Sequence, residues 1–452
     1  MSNAMRPPPG IGGSRRRKAL DARGLLALLL AVLLNAACAP RPMAPADPSP
    51  GPEAACRCLL ADLDRIVNQA EVGYAGSLPV AGFPYLRTNR FLAAMARRAD
   101  DRGREALLER LLELGLEARR REIQALEADS RSALQRRHAR EAADEEALTS
   151  EVARCAKLLL AADRQNAGFH SRLQNALAHL PDEYAGWRRL VGFYPLAALP
   201  VAFVSDRAFD EIRRQHRTPE SELPQQGRLV TYAPAGSAPD RESLKPLFAP
   251  ANRDALGLPH LDPADTLRLA RAYAPWITQD TTADYDRIGA IRWGAPRQPL
   301  VDTRHPMVYF YLSQTFHKSL PTVQINYVFW YPRRNGPATP WIERGAIDGL
   351  TVRVNLDPDG VPFLVDIMHS CGCYHFFLPD WRRTARIVFR PPSLSPLVPA
   401  WMPLDFPARP LRLRVSSGWH QVLHVATGGT ARETTAYALE PYARLEALPR
   451  ED

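Results

Sequence analysis

The chain has 452 residues, 46% of them apolar, and 42 prolines; that length suits two or three domains with enough apolar side chains for real cores. The net charge of +9 is uneven: residues 1–37 hold six basic side chains (Arg6, Arg15, Arg16, Arg17, Lys18, Arg23) against Asp21, which is five of the nine charges and leaves +4 for the rest. Those remaining basic residues are mostly arginines on charged helical segments without interleaved aromatics, so nucleic acid is excluded as a partner.

Met1–Ala4 read as a tag remnant and are set aside. Arg15-Arg16-Arg17-Lys18, the apolar run Leu25–Leu34 and the exit Asn35-Ala36-Ala37 follow the order of a secretory signal peptide, too short for a membrane span. Cys38, directly after those small residues, resembles the lipobox cysteine of bacterial lipoproteins, although Leu34 stands one place early and Asn35 sits where Leu, Val or Ile is usual. The resemblance implies cleavage before Cys38 and acylation there, palmitate included. With Ala39 next, it also implies an outer-membrane lipoprotein facing the periplasm. A plain cleaved signal ending near a cysteine is the alternative. Residues 38–53, rich in Pro and Ala, then read as a lipidated, semi-rigid tether.

Residues 54–190 read as a helical domain, a small antiparallel bundle. A first helix is expected over Cys56–Val67, a loop over Gly82–Arg87, and a helix cap at Thr88 or Asn89. Phe91 to Leu114 follow helical spacing, interrupted at Asp100–Gly103. Leu116–Arg140 reads as one long, mostly solvated helix anchored by Leu116, Ile123, Leu126 and Leu134. Val152, Cys155, Leu158 and Leu159 mark another helix, and Leu173, Leu177 and Leu180 a further one. Their stripes read as packing faces.

Residues 191–277 read as a linker and interdomain segment. Trp187–Val204 is strongly apolar, but Pro195 and Pro200 forbid one continuous helix. It is either a buried strap or a surface that touches membrane or partner. Asp262 or Asp265 caps a short helix, Pro263 suiting the first helical position.

Residues 278–452 read as a mainly antiparallel β-rich domain, giving an α+β fold overall. Strands are expected at Ile288–Trp293, Met307–Leu312, Val323–Tyr331, Ala385–Phe389 and Val422–Val425, and Gly349–Leu356 forms a hairpin with Pro362–His369 across Asp357–Gly360. Gln324 and Asn326 interrupt an apolar strand and must be hydrogen-bonded if buried. Asp284 and Asp286 read as surface charge in a loop.

The stretch His369-Ser370-Cys371-Gly372-Cys373-Tyr374-His375 concentrates two cysteines and two histidines at the end of a strand or in the turn after one. Three chemistries are open. Thiolate and imidazole suit zinc or copper, with His317, His369, Cys371, Cys373 and His375 as candidate ligands. In a straight strand His369 and His375 lie about 20 Å apart, so a bend at Gly372 is required. Alternatively the two CxC pairs, Cys56-Arg57-Cys58 and Cys371-Gly372-Cys373, form disulfides that cross-link the halves and leave Cys155 as a buried thiol. The third is a cysteine nucleophile with a histidine base.

Two functions follow. One is an envelope lipoprotein with metal-assisted hydrolysis of an envelope substrate, Glu343 or Asp348 serving as base for the metal-bound water. The other is a non-catalytic periplasmic binding or assembly lipoprotein whose CxC pairs are structural disulfides. Its partners are the membrane, through lipid on Cys38, and an envelope protein or cell-wall substrate.

Overall fold

The computed structural model of the chain describes residues 51–138, 145–180, 207–295, 298–337, 339–384, 396–429, 433–446 and 448. The expected signal peptide and lipidation site Cys38, the apolar stretch Trp187–Val204 and the strand expected at Ala385–Phe389 lie outside the described residues. Residues 53–452 gather into one compact unit. The α+β class holds: helices come first, then a large, mostly antiparallel sheet. No described helix is long and apolar enough to cross a membrane.

Helix α1 (Pro52–Gln69) buries Cys56, Leu59, Leu60, Leu63 and Val67, one stripe at helical spacing. Strands β1 (Leu78–Val80) and β2 (Phe83–Thr88) then pair antiparallel, where a loop is expected from the sequence. The segment is a strand because a helix covers it. Gly115 of α3 (Asp101–Ala125) lets the backbones meet, since a Cβ there would stand 2.5 Å from the Tyr85 carbonyl oxygen. Between them α2 (Arg90–Ala96) is capped by Asn89, whose side chain accepts from Leu92 N at 2.8 Å. Asp100 caps α3 in the same way at Gly103 N, 2.7 Å, so the expected cap and interruption are both present.

Leu116–Arg140 is not one solvated helix. It divides between α3 and α4 (Ala128–His138) and buries charge. Arg119 donates to Glu122 at 2.9 Å and pairs with Asp64 at 2.6 Å; Arg87 reaches both carboxylates at 3.3 Å. Buried ions persist only when paired in this way. Helices α5 (Glu145–Arg164) and α6 (Phe169–Ala178) complete the layer.

After helix α7 (207–217) come β3 (Arg228–Pro234), α8 (Pro263–Ala272), β4 (Trp276–Thr281) and the two-stranded pair β5 (Ala290–Gly294) and β6 (Gln298–Asp302). Then follow β7 (Met307–His317), β8 (Leu320–Arg334), β9 (Gly345–Leu356), β10 (Pro362–His369) and β11 (Phe376–Pro379). The last elements are β12 (Leu411–Val415), β13 (Val422–Thr427), β14 (Thr434–Pro441) and α9 (Ala443–Glu446). Ten strands form one sheet in the order β11-β10-β9-β8-β7-β14-β3-β4-β12-β13. β14 runs parallel to both neighbours and β4 parallel to β12; the other pairings in this sheet are antiparallel. Part of the 191–277 segment is therefore sheet: it supplies β3, α8 and the start of β4.

On β8, Ile325, Tyr327, Phe329 and Tyr331 are fully buried on one face, continued by Val352 and Val354 of β9 and Val365 of β10. Three of the buried tyrosine hydroxyls find acceptors that tie the layers together. Tyr327 donates to the Ala270 carbonyl at 2.6 Å, Tyr437 to the Pro275 carbonyl at 2.9 Å, and Tyr331 to Gln279 Oε1 at 2.7 Å. These bonds fix α8 and β4 against the sheet. The helical layer docks on the far end of β7, where the Phe91 and Phe316 rings lie 4.9 Å apart and Arg98 sits 4.2 Å above Phe316.

Candidate functional site

The Cys/His stretch is the turn after a strand. β10 ends at His369, and β11 begins at Phe376. Between them Gly372 N donates to the His369 carbonyl at 2.8 Å, His369 N to the Cys373 carbonyl at 3.1 Å, and Ser370 N to the Gly349 carbonyl at 2.8 Å. Gly372 turns the chain with φ +77°, a region that favours glycine.

Two cysteine pairs lie at bonding distance: Cys56–Cys155 at 2.04 Å and Cys371–Cys373 at 1.94 Å. This corrects the expected pairing. The two CxC pairs do not cross-link the halves, Cys155 is bonded to Cys56, and among the described residues the free thiol is Cys58, which is exposed. On a helix, Cys56 and Cys58 are two residues apart and point to different faces, so only Cys56 faces α5.

The expected metal ligands do not converge. His317 ends β7 with its ring 4.0 Å from that of Phe363, and Phe363 is six strand residues, roughly 20 Å, from His369 on the same strand. His369 faces the core, whereas His375 bonds Asp366 at 2.9 Å on the opposite sheet face. Cys371 and Cys373 hold each other. Among the described residues no group of three or more His, Cys, Asp or Glu side chains is placed to hold a metal, and the five expected ligands do not fit one zinc or copper ion as arranged.

Glu343, Asp348 and His369 do meet, but as partners of one arginine. Arg334, on β8, donates to Asp348 Oδ1 at 2.7 Å, to Glu343 Oε2 at 3.2 Å and to His369 Nδ1 at 2.6 Å. An arginine can only donate, so Nδ1 of His369 accepts and its Nε2 carries the ring proton. Burial, together with the Arg334 and His420 charges, holds the His369 pKa below its ordinary value. Its free lone pair is already used, which removes it as a ready base.

His420 is the centre of the cluster, completely buried in the β12–β13 loop. Its Nδ1 donates to Asp348 Oδ2 at 2.8 Å and its Nε2 to Asp286 Oδ1 at 3.3 Å. With a carboxylate at each nitrogen the ring carries both protons. Burial opposes that charge, but Asp286 and Asp348 outweigh it and raise the pKa. Tyr331 stacks flat on the ring at 3.8 Å. Asp286, expected as surface charge, is fully buried and also accepts from Thr282 N, Thr282 Oγ1, Ser417 Oγ and Gly418 N at 2.7–2.8 Å. Burial works against both aspartates, yet the hydrogen bonds and cations around them hold both carboxyls below the usual range.

The cluster reaches the surface at Glu343, which accepts from Trp419 Nε1 at 2.7 Å and from the Tyr374 hydroxyl at 2.9 Å. Beside it Trp341 and Ile342 are 81% and 74% exposed. The cavity lined by His369, Tyr374, Leu350 and Ile367 measures about 10 Å³, room for about one water.

The opposite sheet face carries a second polar row. Ser313, Gln324 and Asn355 are linked in sequence, Asn355 donates to Asp366 Oδ2 at 2.9 Å, and Arg353 joins Asn326 at 2.8 Å to Asp366 at 3.2 Å. Gln324 and Asn326 thus close a hydrogen-bond network, one of the two roles their sequence setting left open.

Sequence reasoning missed His420, Asp286 and Arg334 as a unit. They stand in separate loops and a strand end, more than 40 residues from one another, and two carry only a weak local sign, Gly418 before His420 and Ile288 after Asp286, while Arg334 carries none. No family model, curated protein or solved structure matches the chain.

Proposed function

We propose that the chain is an outer-membrane lipoprotein, anchored through Cys38 and facing the periplasm, whose sheet domain works by binding a partner in the envelope. The sequence order of basic patch, apolar run and Cys38 supports the anchor. One observation carries the binding reading: an apolar tip stands on a rigid polar base. Trp341 and Ile342 project into solvent, while the adjoining Glu343 is held by Arg334, Tyr374 and Trp419. An exposed tryptophan held by a fixed base loses little freedom on association and is a common energetic centre of interfaces. The residues that hydrolysis would require are engaged instead: Asp348 accepts from Arg334 and His420, and the His369 lone pair is taken by Arg334.

Two measurements on the full chain in a didermic bacterium test this. Labelled palmitate enters the wild type, in the outer-membrane fraction, and is absent from Cys38→Ala; label retained in the variant defeats the anchor. A photo-crosslinking residue in place of Trp341 yields one discrete envelope adduct, whereas the same residue in place of exposed Glu113 yields none. Release of soluble cell-wall fragments by the wild type, abolished in folded Asp348→Asn, would establish the hydrolase reading in its place.

A further inference from the structure

We propose that Cys371–Cys373 is a thiol–disulfide exchange site that takes cysteine-bearing polypeptides. Its two cysteines are separated by two positions in sequence, those of the other disulfide by 99. A cross-link stabilises mainly by restricting the unfolded chain, and it restricts more as the closed loop lengthens. Cys56–Cys155 therefore works as a staple; Cys371–Cys373 constrains almost nothing.

Nor is that bond needed to hold the turn. Before it, Ser370 N is tied to Gly349, and the His369 ring to Arg334. After it, the Tyr374 hydroxyl is tied to Glu343 and the His375 ring to Asp366. The His369 N–Cys373 carbonyl bond closes the turn independently of sulfur. These bonds can hold the turn with the pair open, as a reversible dithiol requires. Access is on the correct side, since Cys371 and Gly372 are exposed while Cys373 is half-buried. Exposed disulfides are the more labile, regulatory or catalytic kind. Cys56, by contrast, is fully buried.

The exchange balances without a further cofactor. A client thiolate attacks Cys371 Sγ, the bond to Cys373 breaks, and Cys373 leaves as a thiolate that takes up a proton. A second client thiolate attacks the client sulfur of the mixed disulfide. The client closes its own disulfide and Cys371 is released as a thiol. Two electrons pass from client dithiol to the pair. A low-molecular-weight disulfide, such as oxidised glutathione, returns the pair to its starting state by the reverse steps. The site stands on the turn alone and is independent of the lipid anchor.

The test uses the full chain in detergent with Cys58→Ser, which removes the exposed thiol. The protein is equilibrated in glutathione redox buffers, quenched with an alkylating reagent, and each cysteine peptide is weighed. Cys371 and Cys373 are expected to open in buffers that leave Cys56–Cys155 closed, with an unchanged thermal melt. A reporter peptide with two cysteines is then oxidised at least tenfold faster than by the protein with Cys371→Ser and Cys373→Ser. With Cys373→Ser alone and Cys371 first capped by oxidised glutathione, a one-cysteine reporter displaces glutathione and stays on Cys371 as a mixed disulfide. Opening only together with Cys56–Cys155, or reporter oxidation no faster than with the double variant, overturns the proposal.

Discussion

Replacing His420 by alanine isolates what the buried cluster contributes. The substitution removes the cation between Asp286 and Asp348, two carboxylates that have almost no access to water. It also opens a gap under the stacked Tyr331 ring. Breaking a buried ion pair from one side costs about 3–5 kcal/mol, a large share of the roughly 5–15 kcal/mol that separates folded from unfolded protein. The pH dependence identifies the cause. The His420 pKa is raised in the folded state, so its contribution is complete below the ordinary histidine value, about 6.5, and fades as pH rises through the folded value. Asp286 and Asp348 are lowered, so theirs is complete above about 4 and fades as pH falls through their folded values. The stability lost in His420→Ala is therefore greatest between about pH 4 and 6.5. Urea midpoints measured from pH 4 to 9 give the comparison, and adding Asp286→Asn to His420→Ala should restore part of the loss. A deficit below about 1 kcal/mol that does not vary with pH would refute the charge argument.

Three further substitutions separate backbone from charge effects. Gly418→Ala places a Cβ 2.5 Å from the Asn335 carbonyl oxygen at φ +71°, whereas Gly82→Ala, at φ +83°, meets open space. The first should lower the thermal midpoint clearly more than the second, whose cost is the left-handed backbone alone, on the order of 1 kcal/mol; equal shifts would remove the steric reason for Gly418. His216 is buried with its Nε2 unpartnered, and burial pushes its pKa down to about 4. As pH falls from 6.5 towards 4 the unfolded chain takes a proton that the folded chain refuses, which costs up to about 3 kcal/mol. His216→Leu should flatten that acid slope, and an unchanged slope in denaturant midpoints between pH 7 and 4.5 would assign it elsewhere.

Local pattern was readable wherever one element satisfied itself. The alternation from Val323 to Tyr331, the turn at Asp357–Gly360 and the caps at Asn89 and Asp262 each carry their own signal, and each is present. Long-range pairing was not readable. Phe83–Thr88 is a strand because α3 covers it, and Leu411–Val415 because β4 and β13 flank it. The site divides in the same way. The Cys/His stretch announced itself, yet its position told nothing of Arg334 or His420, whose meaning comes from groups brought together by the sheet. The charge on Asp286 looked like a solvated loop because the loop that covers it, Ser416–Gln421, lies some 130 residues later.

The position of β14 has a consequence for how the chain is made. One run of strands, β7 to β11, and another, β3, β4, β12 and β13, share no direct pairing; β14 alone lies between them, against Met307–Phe310 on one side and Thr231–Pro234 on the other. Among the described strands it is also the last in chain order. A chain emerging from its amino end can fold each run as it appears, but two facing sheet edges stay open until residues 434–441 arrive. Closure of this sheet therefore waits for a non-local pairing made after its other described strands, the kind of contact that forms slowly. Losing those few residues would split the sheet through its middle and expose two unpaired edges, each a template for another chain.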